Sequence, residues 1–340
     1  MKRFFALLAA LLCLPLAACS TLPSLPEENA TRGIVTEQTE TKKQEKTQEE
    51  TEEHIFEDPG EDEGLNILLI GNSYSYYWCD ELYGMLAAAG HEDAKIYNVY
   101  YSGCKFYQHW EWLVNHESNY QLFCNDKNGR RKEEGVGMTY CLSRENWDVI
   151  SFQQSGSYVY GNNGSEENLR SSVKEHLPLL YKYVHDRFPL AKYYWLQSWV
   201  HEVGEGSKGL GTPEQQIAVT SWQRNVAKEV CLEYGFTRVP CGDAWEAVRH
   251  DPLIRENGYS LTARIQKGKK IDDLSHDGDF GGGQYLNACV WFEKLLDQSC
   301  VGNPFRPKYE LDGEDLSLSE KKIALLQKTA HEAVLNMENK

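Results

Sequence analysis

Residues 66–75 read Asn66-Ile67-Leu68-Leu69-Ile70-Gly71-Asn72-Ser73-Tyr74-Ser75. Four consecutive large apolar residues leave no polar face, which suits a strand covered on both sides, as in a parallel sheet. The glycine that ends the run and the small polar residues behind it mark a turn at the strand's carboxyl end. Residues 79–89 (CDELYGMLAAA) then read as a helix that stops near Gly90. Residues 95–101 (KIYNVYY) form a second strand, followed by Gly103. Further strands are expected at 148–152, 193–199 and 237–240. Helical patterns fill residues 168–188, 213–234 and 284–296 between and after them. Strands alternating with helices imply a three-layer α/β/α sandwich around a mostly parallel central sheet. Two segments interrupt the rhythm. Residues 120–140 contain Asn128-Gly129 between apolar stretches and predict a β-hairpin excursion. In the tail, Ile323, Leu326, Ala330, Val334 and Met337 recur at helical spacing and predict a closing amphipathic helix over 317–337.

Upstream of Leu65 the chain changes character. Lys2 and Arg3 precede 13 almost wholly apolar residues, Phe4 to Leu16. That is short of the roughly 20 a spanning helix needs, and it reads as an export signal. Leu16-Ala17-Ala18-Cys19 resembles the bacterial lipobox, which implies diacylation of Cys19 and a membrane anchor on the outer side of the cell. The alternative is a plain secretory signal cut near Ala18. Residues 20–64 show no apolar periodicity, and Glu27 to Glu63 holds 14 acids against 4 bases, a net of −10 out of the chain's −16. Such a segment cannot bury enough apolar surface to fold alone. It is expected to be a solvated tether with an r.m.s. span of roughly 40 Å. The domain proper then spans residues 65–340.

Composition removes several functions. An acidic chain without a basic stripe excludes nucleic acid as a partner, because phosphate binding needs clustered Lys and Arg. No Cys-x-x-Cys or His-Glu-x-x-His spacing occurs, so no metal is expected. Gly204-x-Gly206-x-x-Gly209 matches the dinucleotide fingerprint in form. It follows a late strand instead of opening the domain, and it reads as an active-site rim, with no nucleotide and no cofactor. Outside Cys13 and Cys19, eight cysteines remain, and an exported domain allows either disulfides or free buried thiols.

The chemistry is expected just beyond the carboxyl ends of the strands, where open α/β sheets bind ligands. A serine nucleophile needs a base, and the base needs a carboxylate that holds its tautomer. Of the ten histidines only His276 has an aspartate three residues before it, Asp273. On a loop, that spacing lets the carboxylate fold back on Nδ1 while Nε2 faces a serine, for which Ser73 stands in the right turn. Donors for an oxyanion are available from the Ser73 N–H, the Gly103 N–H, and the side-chain amide of Gln153 or Gln154. Trp110, Trp112, Trp195 and Trp199 are weighed between packing and stacking on sugar rings. His109, His116 and His201 read as structural or surface residues.

Together these residues resemble the ordered blocks of the SGNH (GDSL-like) hydrolase superfamily. More narrowly, the chain resembles a bacterial SGNH-type domain family of unknown function. The resemblance rests on Ile70-Gly71-Asn72-Ser73-Tyr74-Ser75, on Ser102-Gly103-Cys104 with His109-Trp110, and on Trp147-Asp148-Val149 leading to Phe152-Gln153-Gln154. It implies Ser73 as nucleophile, His276 as base, Asp273 as its orienter and Gly103 as an oxyanion donor. Two departures stand out. Asn72 replaces the aspartate of the usual Gly-Asp-Ser block. Gln153-Gln154-Ser155 replaces a Gly-x-Asn-Asp block and is similar to the sialate O-acetylesterase-like branch. The expected activity is esterase action on acylated, often acetylated, carbohydrate or a small acylated substrate. The alternatives are O-acyl transfer through the same triad and a catalytically silent glycan-binding lipoprotein.

Overall fold

A computed structural model describes residues 64–161, 163–204, 210–276 and 278–338. The signal segment, Cys19, the acidic tether and most of the glycine loop (205–209) lie outside the described residues. The described residues belong to one compact unit, Ile55–Lys340.

The first strand, β1 (Asn66–Gly71), is buried along its whole length. Alternation divides its side chains between two cores. Ile67 and Leu69 join one cluster, while Leu68 and Ile70 join the other. β1 runs parallel to β2 (Lys95–Tyr100) on one side and to β5 (Val149–Phe152) on the other. The hairpin strands β3 (Tyr120–Asp126) and β4 (Gly129–Val136) lie between β2 and β5 in sequence. β6 (Lys192–Leu196) and β7 (Thr237–Val239) continue the parallel part, giving the order β4-β3-β2-β1-β5-β6-β7.

Helices cover both faces. α1 (Cys79–Ala88), α6 (Cys241–Val248), α7 (Gly283–Leu296) and α8 (Glu320–Leu335) build the core around Trp78, Trp245 and Trp291. On the other face α2 (Phe106–Val114), α3 (Met138–Leu142), α4 (Glu166–His185) and α5 (Pro213–Tyr234) bury Phe106, Leu177, Val226 and their neighbours.

The three-layer fold is as the sequence predicts, with refinements. The hairpin is no detached excursion. β3 pairs antiparallel with β2 and widens the sheet by two strands. The helices α2, α3 and α6 and a second hairpin, β8 (Ala263–Gln266) with β9 (Lys269–Asp272), were not apparent from periodicity, since the helices are at most nine residues long and the hairpin strands four. Residues 197–199 leave the sheet instead of extending β6. Cys79, Cys104, Cys124, Cys141, Cys231, Cys241, Cys289 and Cys300 are all free thiols. Among the described residues no helix is long and apolar enough to cross a membrane.

Several carboxyls are buried, Glu81, Glu202 and Glu293 among them. Glu81 on α1 accepts a hydrogen bond from the Tyr309 hydroxyl at 2.9 Å, and burial pushes its pKa up to about 7. In the unfolded chain a glutamate ionises near 4.3, at about the ordinary value. Between those two values the folded state therefore holds the extra proton. Stability falls as pH rises across that window, and the penalty is complete above pH 7. Glu81→Gln should raise the thermal midpoint by several degrees at pH 8 and leave it nearly unchanged at pH 4, as read by circular dichroism.

Candidate active site

The carboxyl end of β1 runs into a single tight turn, Ser73–Ser75, capped by Asn72. The Asn72 side-chain oxygen accepts the Tyr74 N–H at 3.1 Å, and its Nδ2 donates to the Cys104 carbonyl at 3.0 Å. Its backbone N–H donates to Gln153 Oε1 at 3.2 Å. One residue thus joins the ends of β1, β2 and β5. Gly71 is required by close approach, because a Cβ there would sit 2.6 Å from Ser75 Oγ and 2.7 Å from Gln153 Oε1. Gly103 is required for a different reason. It adopts a left-handed φ of 66° in the turn closed by Cys104 N–H to Tyr101 O at 3.1 Å. No atom lies within 4 Å of where its Cβ would be, so that side of its backbone is open.

The opposing half is the loop after β9. Asp273 Oδ1 accepts the backbone N–H groups of Ser275 (3.0 Å) and His276 (2.8 Å), and Oδ2 accepts His276 Nδ1 at 3.0 Å. Burial alone would raise the Asp273 pKa. The hydrogen bonds from the His276 ring and the two backbone N–H groups outweigh it and hold the carboxyl well below the usual range. With Nδ1 committed to the carboxylate, the Nε2 lone pair is left to accept a proton. Asp272, one residue earlier, faces away and binds the Ser260 N–H and hydroxyl at 2.7 and 2.8 Å. Leu274, between Asp273 and Ser275, takes a φ of 63°, rare for a branched residue. The turn is held from both sides: its carbonyl accepts the Glu202 N–H at 2.7 Å, and its N–H donates to Thr262 Oγ1 at 3.2 Å.

Two aromatic contacts bring the halves together. The Tyr77 ring meets His276 edge-on at 5.2 Å. Tyr74 packs on Trp199 at 4.6 Å, and the Trp199 indole N–H donates to the Ser275 carbonyl at 3.2 Å. Ser73 immediately precedes Tyr74 in sequence, on the turn that faces the Asp273–His276 loop. Arg264 on β8 lies with Nε 3.6 Å from Asp273 Oδ2 and its guanidinium over Tyr77 at 4.9 Å. Sequence inspection missed Tyr77 and Arg264. Tyrosine in a tyrosine-rich turn and arginine in an unrecognised hairpin carry no spacing signal.

The structure corrects the reading of the glutamines. Gln153 turns its carbonyl oxygen toward the Ser73 turn, because the buried Asn72 N–H and Ser75 hydroxyl both need an acceptor. Its amide nitrogen donates to the Gln154 carbonyl. Gln154 donates to Ser172 Oγ at 3.1 Å and accepts the Phe106 N–H at 3.2 Å, tying α2 to α4. Both glutamines brace the site. Trp195 and Trp199 are buried in the sheet's cores and offer no face to a sugar. His109 is enclosed against Tyr120 at 2.9 Å, and burial drives its pKa down to about 3, so it stays neutral at physiological pH. Among the described residues no cluster of His, Cys, Asp or Glu could hold a metal ion.

Residues 66–324 match the family described as "Domain of unknown function (DUF4886)", and the chain belongs to that family. The crystal structure of a DUF4886 family protein from Bacteroides uniformis is similar at TM-score 0.62 and 23% identity, covering 80% of this chain and 95% of that one. That similarity supports the fold. A putative GDSL-like lipase from Parabacteroides merdae superposes at TM-score 0.44 and 18% identity, over 68% of this chain and 95% of its own. A carbohydrate esterase family 3 protein from Talaromyces cellulolyticus gives 0.42 and 10%, over 68% and 97%. No curated protein matches the sequence.

Asn72→Asp removes the donor to Cys104 and sets a carboxylate against that carbonyl. It should cost about 1–3 kcal/mol of stability in urea titration, since a buried group loses its partner.

Proposed function

We propose that this domain is a serine ester hydrolase of the SGNH type. Ser73 Oγ attacks the ester carbonyl while His276 Nε2 takes its proton. Asp273 holds the imidazole by Nδ1 and stabilises the imidazolium that forms. The tetrahedral oxyanion is received by the backbone N–H groups of Ser73 and Gly103, the latter on the open side of a left-handed turn. The protonated imidazole then returns its proton to the leaving alcohol. Water, activated by the same base, releases the acid and restores Ser73. The observation that carries this reading is the Asp273 carboxylate on His276 Nδ1 at 3.0 Å, on a loop whose histidine packs against Tyr77, two residues past the Ser73–Ser75 turn.

The substrate class we propose is acylated carbohydrate, with acetyl the simplest acyl group. Its support is the export signal and lipobox of the sequence. They imply a domain anchored through diacylated Cys19 outside the cytoplasm and held off the membrane by the acidic tether. There the protein would meet envelope or environmental glycans.

Ser73, His276 and Asp273 act in one step, so their losses should not add. Ser73→Ala and His276→Ala should each lower kcat on a small acetyl ester at least about 10³-fold, with the double variant scarcely worse. Wild-type kcat in a Ser73→Ala protein with native circular dichroism rejects the assignment.

A further inference from the structure

A separate cavity of about 440 Å³ opens between residues 254–259, β9 and the segment 314–319 that enters α8. It shares no lining residue with the Ser73–His276 site. Its volume lies in the range of small-molecule sites. Lys322 forms part of its wall with only 9% of its surface exposed. Among the described residues the ammonium makes no hydrogen bond or ion pair.

Three separate costs fall on this cation. Burial takes away part of its water, the ammonium meeting solvent only through the cavity. It stands in the first turn of a 16-residue helix, where the backbone dipole is positive and disfavours cations. No carboxylate touches it. Burial accordingly lowers its pKa, and the more distant charge of Glu256 opposes this only in part. An unbranched apolar side chain would serve folding better at this position. The amine therefore answers to what enters the cavity.

The rest of the wall says what that is. Lys270 is already paired with both Glu314 oxygens at 2.8 Å. Asp315, oriented by the Ser317 N–H at 2.9 Å, and exposed Glu256 remain as acceptors. Tyr259, half-buried, is set edge-on to Phe280 at 5.1 Å, which fixes the plane of its ring. Two lysines against three carboxylates leave the cavity net negative, so a free anion is disfavoured. Paired acceptors, one strong donor and an aromatic face match a neutral polyhydroxylated ring.

We infer that this cavity is a second binding site that takes a neutral sugar unit of a glycan. Ring hydroxyls accept from Lys322 and donate to Glu256 and Asp315, with the ring's face against Tyr259. The site does not depend on any role for Ser73.

The test uses the Ser73→Ala protein, so that no probe is altered, with and without Lys322→Met or Tyr259→Ala. Maltohexaose, xylohexaose and chitohexaose are the neutral probes; trigalacturonate and inorganic phosphate are the anionic ones, all followed by calorimetry and ligand-observed NMR. We expect at least one neutral probe to bind, each variant to weaken it at least tenfold, and Lys322→Met to melt no lower than its parent. In the Ser73-intact protein, Lys322→Met should leave kcat on the small acetyl ester unchanged, which separates this site from the catalytic one. The inference is overturned if no neutral probe binds or if the anions bind in preference. It is overturned equally if Lys322→Met binds like its parent, or if that variant melts lower, making the lysine a structural strut.

Discussion

An amide that donates on one side and accepts on the other holds three strand ends together at the head of this sheet. Asn72 gives a hydrogen bond to the Cys104 carbonyl, takes one from Tyr74 and passes its own N–H to Gln153. A carboxylate accepts only, so aspartate could not make the first of these bonds. The register of β1 between β2 and β5 sets Ile70 beside both Val99 and Phe152, which places the following loops side by side. Asn72 then fixes their relative height. Asn72, Cys104 and Gln153 meet only because those two constraints agree.

The second half of the site is built around a charge. Asp273 is nearly enclosed, and a buried carboxylate is tolerated only when its lone pairs are used. Two backbone N–H groups, an imidazole and a nearby guanidinium answer that demand. Meeting it bends the chain through Leu274 into a left-handed conformation that the Glu202 and Thr262 hydrogen bonds hold in place. Strain of this kind persists where the surroundings over-determine it, and here it aims the histidine.

Much of this was legible in the chain itself. β1 announces itself through four adjacent apolar residues, and the Asp273-x-x-His276 pair is unique among ten histidines. What stayed hidden has physical causes. Gln153 and Gln154 each carry a donor and an acceptor, and which end faces the serine depends on buried partners on other elements. The hairpin at Asn128-Gly129 was visible, but its pairing with β2 was not, because edge position depends on a neighbour far along the chain. Trp199 reads equally as a sugar platform or a core residue until its burial is known. Lys322 falls on the polar side of no simple pattern, and its isolation emerges only from the cavity it lines.

The proposed chemistry depends on Ser73 as a nucleophile, and that can be watched directly. The purified domain, mixed with an activated acetyl ester and quenched in acid within the first turnover, should gain the mass of one acetyl group. Peptide mapping should place it on Ser73, and the adduct should vanish with time in the wild type. Its lifetime should lengthen when Asp273 is replaced by asparagine, since the same base must activate water for release. Acetyl found on another residue, or no adduct from a protein that turns the ester over, would contradict the assignment.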